Sequence, residues 1–493
     1  MRKTFNHTLY GALLLLLVGS LSACRVKQQS QASGVSTLAV VALNDIHANI
    51  DQLPRIAFMV DSMRAIYPNL LLLAAGDLQT GNPINDNFQP KGLPIIELMN
   101  EMRFDASALG NHEFDLGQHG LGDISHRAKF PFLSANVFPS PSYGIALKPY
   151  KIFTMSDGTR VSVVGLLQLG ELGIPDSHPK NVRGVAFTKP LEEVKNYRYL
   201  AGCSDLQIAV THIGVQEDTI LARVAPYLDL IAGGHSHTLI DHPNNLHSSV
   251  PIVQSGYKAH YISLALIRHK GGQVLSHQEM LLPADPHAGG VNEKMQRMVE
   301  GYNANPLFAE VVTTNPKPIQ DKYTLGAIFA DAQRWYSHAN FAMQNPGGVR
   351  IGELPQGNIT LKDILRLDPF GNELTVLTMT GRQLKDFFLH AWTTDSNAPA
   401  HTSGLRVDYQ LDDTGVLLDC TIYPAGSDTP IDPDKLYTLA TSSYVQAAYT
   451  YQTAAPDKNQ GITTAEVIVQ YLKSLPEMPQ VDYKSRYNVR VAR

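Results

Sequence analysis

The chain has no surplus of basic residues, no apolar run long enough to cross a bilayer, no internal repeat and few cysteines; each absence closes a class. With a formal net charge of -5 and 17% charged residues, no basic face is offered to a nucleic-acid polymer. Any phosphate recognition must therefore come from a local site. No self-similarity at a period of about 20 to 50 residues is visible, which excludes solenoids and propellers. Three cysteines cannot build a disulfide framework. Cys203 and Cys420 fall in different expected domains, so two buried thiols are expected. Nothing in the sequence points to a protein partner. What remains is an ordinary globular composition, and 493 residues suffice for two or three domains with substantial cores.

The first residues read as a targeting segment. Met1, Arg2 and Lys3 supply positive charge, Leu13 to Val18 lie in an apolar core, and the stretch closes on Leu21, Ser22, Ala23, Cys24. That core is shorter than the roughly 20 residues a spanning helix needs, which favours a signal peptide over residues 1–24. The Leu-Ser-Ala-Cys ending resembles the bacterial lipobox, which implies lipidation of Cys24 as the mature first residue. Arg25 follows where an aspartate would signal inner-membrane retention. The expectation is a cell-envelope protein, held in the outer membrane by lipid and facing the periplasm or exterior. Residues 25–37, rich in Gln and Ser, read as a flexible tether.

From residue 38 to 284, short apolar runs alternate with helix-patterned segments such as Gln52 to Ile66, Leu93 to Met102 and Glu217 to Val224. The pattern predicts an α/β domain of one or two sheets covered by helices. Residues 285–318 read as a linker carrying one amphipathic helix from Val291 to Tyr302. A second α/β region over 319–493 has helix candidates at Leu325 to Trp335, Gly381 to Trp392 and Thr464 to Leu475. Two cores joined in this way permit hinge motion.

Five apolar runs in the first region end within a few residues in metal-binding side chains: Asn44-Asp45-Ile46-His47, Gly76-Asp77, Gly110-Asn111-His112, Thr211-His212 and Gly233-Gly234-His235-Ser236-His237. Ligand sites of open α/β sheets lie outside the carboxyl ends of the strands, so these residues can converge on one site. Each fragment alone is a common turn or cap; together they read as a dinuclear metal centre. Asp77, freed by a preceding glycine, suits the bridging carboxylate. Asp45 and His47, two apart, point the same way and can grip one ion. Asn111, His212 and His235 can grip the second, and His237 can reach back to the first.

These motifs, with Gly110-Asn111-His112-Glu113-Phe114-Asp115 intact, resemble those of the calcineurin-like metallophosphoesterases, specifically the bacterial 5'-nucleotidase / UDP-sugar hydrolase family. The resemblance implies a four-layer α-β-β-α sandwich followed by a second α/β 5'-nucleotidase C-terminal domain that binds substrate. It implies that Asp45, His47, Asp77 and His237 hold one divalent ion while Asp77, Asn111, His212 and His235 hold the other, with Zn, Mn, Mg and Fe all compatible with such donors. Two such ions acidify water and polarise a phosphoryl oxygen. His112 is the candidate to protonate the leaving oxygen, and Asp115, three residues on, orients it.

In the second region, Asn345-Pro346-Gly347-Gly348-Val349-Arg350 resembles the family loop that brings an arginine to substrate phosphate. Asp368-Pro369-Phe370-Gly371-Asn372 also looks like a family landmark and reads as structural. The family's base-stacking aromatics are degraded. Pro399 to Gly404 carries no aromatic and Ser443 to Tyr451 lacks the glycine loop, leaving Tyr449 and Tyr451, with Tyr444 beside them, as stacking candidates. The expected reaction is phosphate release from nucleoside 5'-monophosphates or related nucleotides by water activated at the two metals. Alternatives on the same centre are cyclic-nucleotide phosphodiester, nucleotide-sugar pyrophosphate or sulfur-oxidation hydrolysis. A different class is a non-catalytic ligand-binding lipoprotein, which would need neither a full ligand set nor the His112-Asp115 pair.

Overall fold

Alternating side chains on the first strand decide the architecture of the N-terminal half. In Ser36–Leu43, Ala39, Val41 and Leu43 point into one buried core while Leu38, Val40 and Ala42 point into another. A strand buried on both faces is the interior of a layered α/β fold. The computed structural model describes residues 34–241, 246, 248–285, 289–395 and 397–491. Segment 1–24, with Cys24, and residues 25–33 of the tether lie outside the described residues. Among the described residues, no helix is long and apolar enough to cross a membrane.

The first sheet runs Gln273–Pro283, Tyr261–Lys270, Ser36–Leu43, Leu70–Ala74, Ala106–Ala108, Phe132–Leu133, Leu147–Lys148 in spatial order. The second runs Ile252–Val253, Leu230–Ala232, Leu206–His212, Arg160–Leu167, Tyr150–Thr154. Between them Leu38, Val40, Leu71, Leu73, Val163, Ile208 and Val210 form a dry interlayer. Helices Leu53–Ile66, Leu93–Met102 and Gly117–Arg127 cover the outer face of the first sheet, and Val215–Val224 covers that of the second. This is the α-β-β-α sandwich that the resemblance implied. Ser36–Leu43 pairs in parallel with Leu70–Ala74, and Leu206–His212 with both Arg160–Leu167 and Leu230–Ala232, so the ends of these strands emerge on one side.

Sequence reading did not foresee the antiparallel hairpin of Tyr261–Lys270 and Gln273–Pro283 that closes one edge of the first sheet. Its outer strand is half exposed and gives no clean alternation. The linker helix forms at Glu293–Asn303, started by the Asn292 side chain accepting from Met295 N.

The C-terminal half is a second α/β unit. A five-stranded sheet with Phe341–Gln344, Leu436–Ser442 and Glu373–Thr380 at its centre is packed by Lys322–Ser337 and Thr464–Lys473 on one face and by Gly381–Thr394 on the other. Leu374 and Val376 enter the first of these cores, Leu377 and Met379 the second. Cys420 is a free buried thiol, pushed up to about 12 by burial. Cys203 is buried as well.

Candidate metal centre

The five strand ends converge. Where Ser36–Leu43 stops, the chain turns through Asp45 and His47; after Leu70–Ala74 it turns through Asp77; and after Leu230–Ala232 through His235 and His237. All five residues sit at positive φ, between 48° and 77°. Non-glycine residues adopt this left-handed region at a cost of order 1–3 kcal/mol each, and such strain clusters at functional sites. Two glycines let the loops touch. A Cβ at Gly110 would lie 2.3 Å from the Asp77 backbone nitrogen, and one at Gly234 only 2.5 Å from the Ala75 carbonyl oxygen.

Hydrogen bonds at the back of the rings fix their tautomers. The His212 Nδ1 lies 2.7 Å from the Ala75 carbonyl and the His47 Nδ1 3.0 Å from the Thr80 carbonyl. A carbonyl only accepts, so each Nδ1 donates and each Nε2 presents a lone pair to the site. There, His212 Nε2 is 3.0 Å from Asn111 Oδ1 and 3.2 Å from Asp77 Oδ2, and His235 Nδ1 is 3.1 Å from the same Asn111 oxygen. On the other side, His47 Nε2 is 3.1 Å from His237 Nε2, and His237 Nε2 is 3.3 Å from Asp45 Oδ1. The Asp77 Oδ2 is 3.9 Å from His47 Nε2, so this one carboxylate faces both groups.

Lone pairs of two carboxylates, one amide oxygen and four imidazoles gathered at these distances fit divalent cations, and the N/O donor set suits Zn, Mn, Fe or Mg. The electrostatics report the negative field that a cation would answer. Burial opposes charge on His212, yet the adjoining Asp77 carboxylate outweighs it and pushes His212 up to about 10. Burial and then Arg350 hold His47 well below the usual imidazole range, and burial with His212 brings His235 down to about 4.

Beside this cluster, the His112 Nδ1 is 2.6 Å from Asp115 Oδ2 and its backbone N–H donates to Asp77 Oδ1 at 2.9 Å. Burial pulls the ring down, but Asp77 and Asp115 overcome it, and His112 ends above its ordinary value. Asp115 also accepts from Thr80 Oγ1 at 2.9 Å and Ser177 Oγ at 3.2 Å. The short turn His112–Leu116 has no side-chain cap, so the pair is spent on each other and not on a helix end.

From the C-terminal half, Arg350 brings its Nη2 to 3.1 Å from His47 Nε2. Phe370 joins it: the ring stacks on His112 with centroids 5.7 Å apart, and the Arg350 guanidinium sits 5.6 Å from its centre. Sequence reading assigned the Phe370 stretch a structural part; the structure brings it into the cleft. Tyr449 is the converse correction. The Tyr449 ring is buried against Phe387 and its hydroxyl donates to Asp395 at 2.5 Å; Tyr451 also packs on Phe387, with its hydroxyl on Gln446 O and Asp457. The Tyr449 ring is thus not free to stack on a substrate, whereas the Tyr451 ring is half-buried. Tyr444 instead feels Asp176 and Asp115 of the cleft, which add to burial in raising its hydroxyl.

A second omission is Glu113. Wholly buried, its carboxylate accepts from the backbone N–H of Gly110 at 2.6 Å, Leu78 at 2.7 Å, Asp77 at 3.1 Å and Gln79 at 3.3 Å, tying two ligand loops together. Burial, then Asp77, raises it to about 7. The signal was its place in the Gly110 to Asp115 motif.

Comparison with known proteins gives the same division. Residues 38–239 match the calcineurin-like phosphoesterase family and residues 307–455 the 5'-nucleotidase C-terminal domain. The chain is 28% identical to a 5'-nucleotidase of Vibrio cholerae over 81% of its length and 84% of that protein. It is 27% identical to the snake venom 5'-nucleotidase of Crotalus adamanteus over 88% and 84% of the two chains. Among solved structures, a 5'-nucleotidase precursor from Thermus thermophilus superposes with a TM-score of 0.79 at 25% identity, covering 92% of this chain and 99% of that one.

Proposed function

The chain belongs to the calcineurin-like phosphoesterases that carry a 5'-nucleotidase C-terminal domain, hydrolases of phosphoester bonds, and on that premise we propose that it releases phosphate from nucleoside 5'-monophosphates outside the cytoplasm. The observation that carries the reading is the meeting of the His112-Asp115 pair, Arg350 and Phe370 over the Asp77 cluster.

Asp45, His47, Asp77 and His237 would hold one ion, and Asp77, Asn111, His212 and His235 the other. When bound, two divalent ions supply Lewis acidity toward water and toward a phosphoryl oxygen. Arg350 offers a guanidinium fork to the remaining phosphate oxygens, a geometry a lysine cannot reproduce. His112, whose protonated form Asp77 and Asp115 favour, gives a proton to the departing 5'-oxygen of the nucleoside, and Asp115, accepting from Nδ1–H, leaves the Nε2 proton as the one given. Phe370 presents an aromatic face beside that leaving group, suited to a nucleobase. Lipidation at Cys24 would keep the protein in the cell envelope, at the outer membrane, where it would supply nucleoside and phosphate.

The test is phosphate release from a panel of nucleoside monophosphates, a UDP-sugar, cyclic nucleotides and an aryl phosphate, with Mn or Zn added back. The monophosphates are expected to turn over fastest. Activity confined to the aryl ester, or nucleotide binding with no phosphate released, would remove the nucleotidase reading. Labelling with radioactive palmitate in a bacterial host, lost in Cys24→Ser, tests the anchor.

A further inference from the structure

Of the four imidazoles at the metal loops, His237 is held differently from the rest. The Nδ1 of His47 and of His212 each donates to a backbone carbonyl, which fixes ring plane and tautomer together. His235 has Asn111 Oδ1 at 3.1 Å from one nitrogen and the Asp176 carboxylate at 3.7 Å from the other. The His237 Nε2 faces His47 and Asp45, yet among the described residues no hydrogen bond reaches its Nδ1. Its side chain is also open, 33% exposed against 2% for His47 and 0% for His212. The last torsion of a histidine side chain is broad, so a ring without such a bond is free to turn its lone pair away from the site.

What His237 has instead is Tyr257. The phenol ring lies parallel to the imidazole, with 6° between the planes and 5.1 Å between centroids, and blocks rotation from one face while His47 abuts the same ring edge-on at 5.1 Å. The loop that carries Tyr257 is bonded to the ligand loops on both sides of it. Asn44 Nδ2 donates to the Gly256 carbonyl at 2.5 Å and to Asp45 Oδ2 at 2.6 Å, the Lys258 N–H donates to the Asp45 carbonyl at 2.7 Å, and the Gly256 N–H donates to the Thr238 carbonyl at 3.1 Å, one residue beyond His237. Gly256, Lys258 and Ala259 sit at φ of 77°, 55° and 55°. Two of the three are not glycine, and strained backbone of this kind persists only where its surroundings over-determine it. We infer that Tyr257 is a positioning residue of the metal centre: the face of its ring, set by a loop tied to Asp45 and Thr238, aims His237 at the ion it would share with Asp45, His47 and Asp77. This rests on the two-ion reading proposed above and adds to it a side chain that contributes no ligand atom.

The test titrates Mn into chelator-treated, full-length wild type, Tyr257→Phe and Tyr257→Ala, followed by calorimetry and by electron paramagnetic resonance. Wild type should take up two ions and give the spectrum of a coupled pair. Outer partners of metal ligands are worth about 10- to 100-fold in affinity and an aromatic stack about 2- to 10-fold, ranges that meet near 10-fold. Tyr257→Ala should therefore weaken one ion by about 10-fold, leave the other as it was, and show isolated Mn at concentrations where wild type is paired. Tyr257→Phe should match wild type. The Tyr257 ring is exposed, so the alanine variant keeps its core, and its unweakened ion reports that the fold is intact. Unchanged affinity for both ions in Tyr257→Ala overturns the inference. So does an equal loss of both ions, which would make the loop a general support, and so does an equal loss in Tyr257→Phe, which would assign the effect to the hydroxyl. Phosphate release is not read, so these outcomes stand whichever ester the site hydrolyses; a wild type that takes up fewer than two ions removes the two-ion reading and this inference with it.

Discussion

Asp45, His47, Asp77, Asn111, His212, His235 and His237 are fixed within one body, by strand ends, left-handed turns and the buried carboxylate of Glu113 that ties the Asp77 and Gly110 loops together. Arg350 and Phe370 reach the same cleft from loops of the other half. There the Arg350 backbone N–H is tied to the Leu367 carbonyl, and contact with the metal loops is made by side-chain tips. The first arrangement is preorganised by short-range backbone bonding; the second exists only while two separately cored units are docked. Metal chemistry and substrate recognition should therefore fail independently.

The largest break of that contrast is Asp77→Ala. This carboxylate faces His212 at 3.2 Å and His47 at 3.9 Å and accepts the His112 N–H, so its loss should strip metal and take phosphate release to background, forfeiting the several kcal/mol that the ions provide. Metal analysis beside initial rates checks it, and retention of both ions would undo the bridging role. Next in size is His112→Ala, which should keep the metals and lower kcat by about 10²–10⁴-fold. Its partner sharpens the point through pH. The proton-donating form of His112 exists below a pKa that Asp77 and Asp115 hold above the ordinary value, so activity is lost as pH rises through it. Asp115→Asn should move that alkaline limb to lower pH, and an unmoved limb would take the proton transfer away from His112.

The same contrast explains what was legible. A ligand loop here is an apolar run, a glycine and a polar residue within a few positions, all local, and His112 with Asp115 is an equally local pair three residues apart. Which core a strand faces also follows from period two, as in Leu38, Val40 and Ala42. Phe370 was not legible, because a ring after a proline in a loop carries no periodicity and its partner His112 lies in the other half of the chain. Tyr449 misled for the opposite reason. Its ring is buried by the distant helix Gly381–Thr394, through Phe387, and residues next to it in sequence say nothing of that packing. Glu113 was written inside a motif already read, but its role depends on three backbone N–H groups of the Asp77 loop.

Arg350→Lys comes third. It keeps the charge but loses the planar fork, and should lower kcat/KM for phosphate esters by about 10- to 100-fold, the worth of one hydrogen bond between charged groups, with metal content unchanged. Loss of metal in this variant would mean that the arginine loop belongs to the metal body, and the division between the halves would collapse.

Tyr449→Phe should have the smallest effect on turnover, and it tests the core assignment directly. The hydroxyl donates to Asp395 at 2.5 Å from a ring packed on Phe387, so removing it should cost about 1.5–3 kcal/mol of stability while leaving KM for nucleotides almost where it was. The pH dependence has a definite sign. Burial raises Asp395 from 3.8 to about 7 in the folded protein, and the Tyr449 hydrogen bond works against that rise. A carboxyl with a raised folded pKa contributes stability that is full below 3.8 and lost as pH climbs through about 7. Without the Tyr449 donor the folded pKa goes higher still and the loss continues further into the alkaline range. The difference in unfolding free energy between wild type and variant, read from denaturant melts, should thus be widest above about pH 7 and narrow in acid. A raised KM with no change in the melts would put Tyr449 back on the substrate.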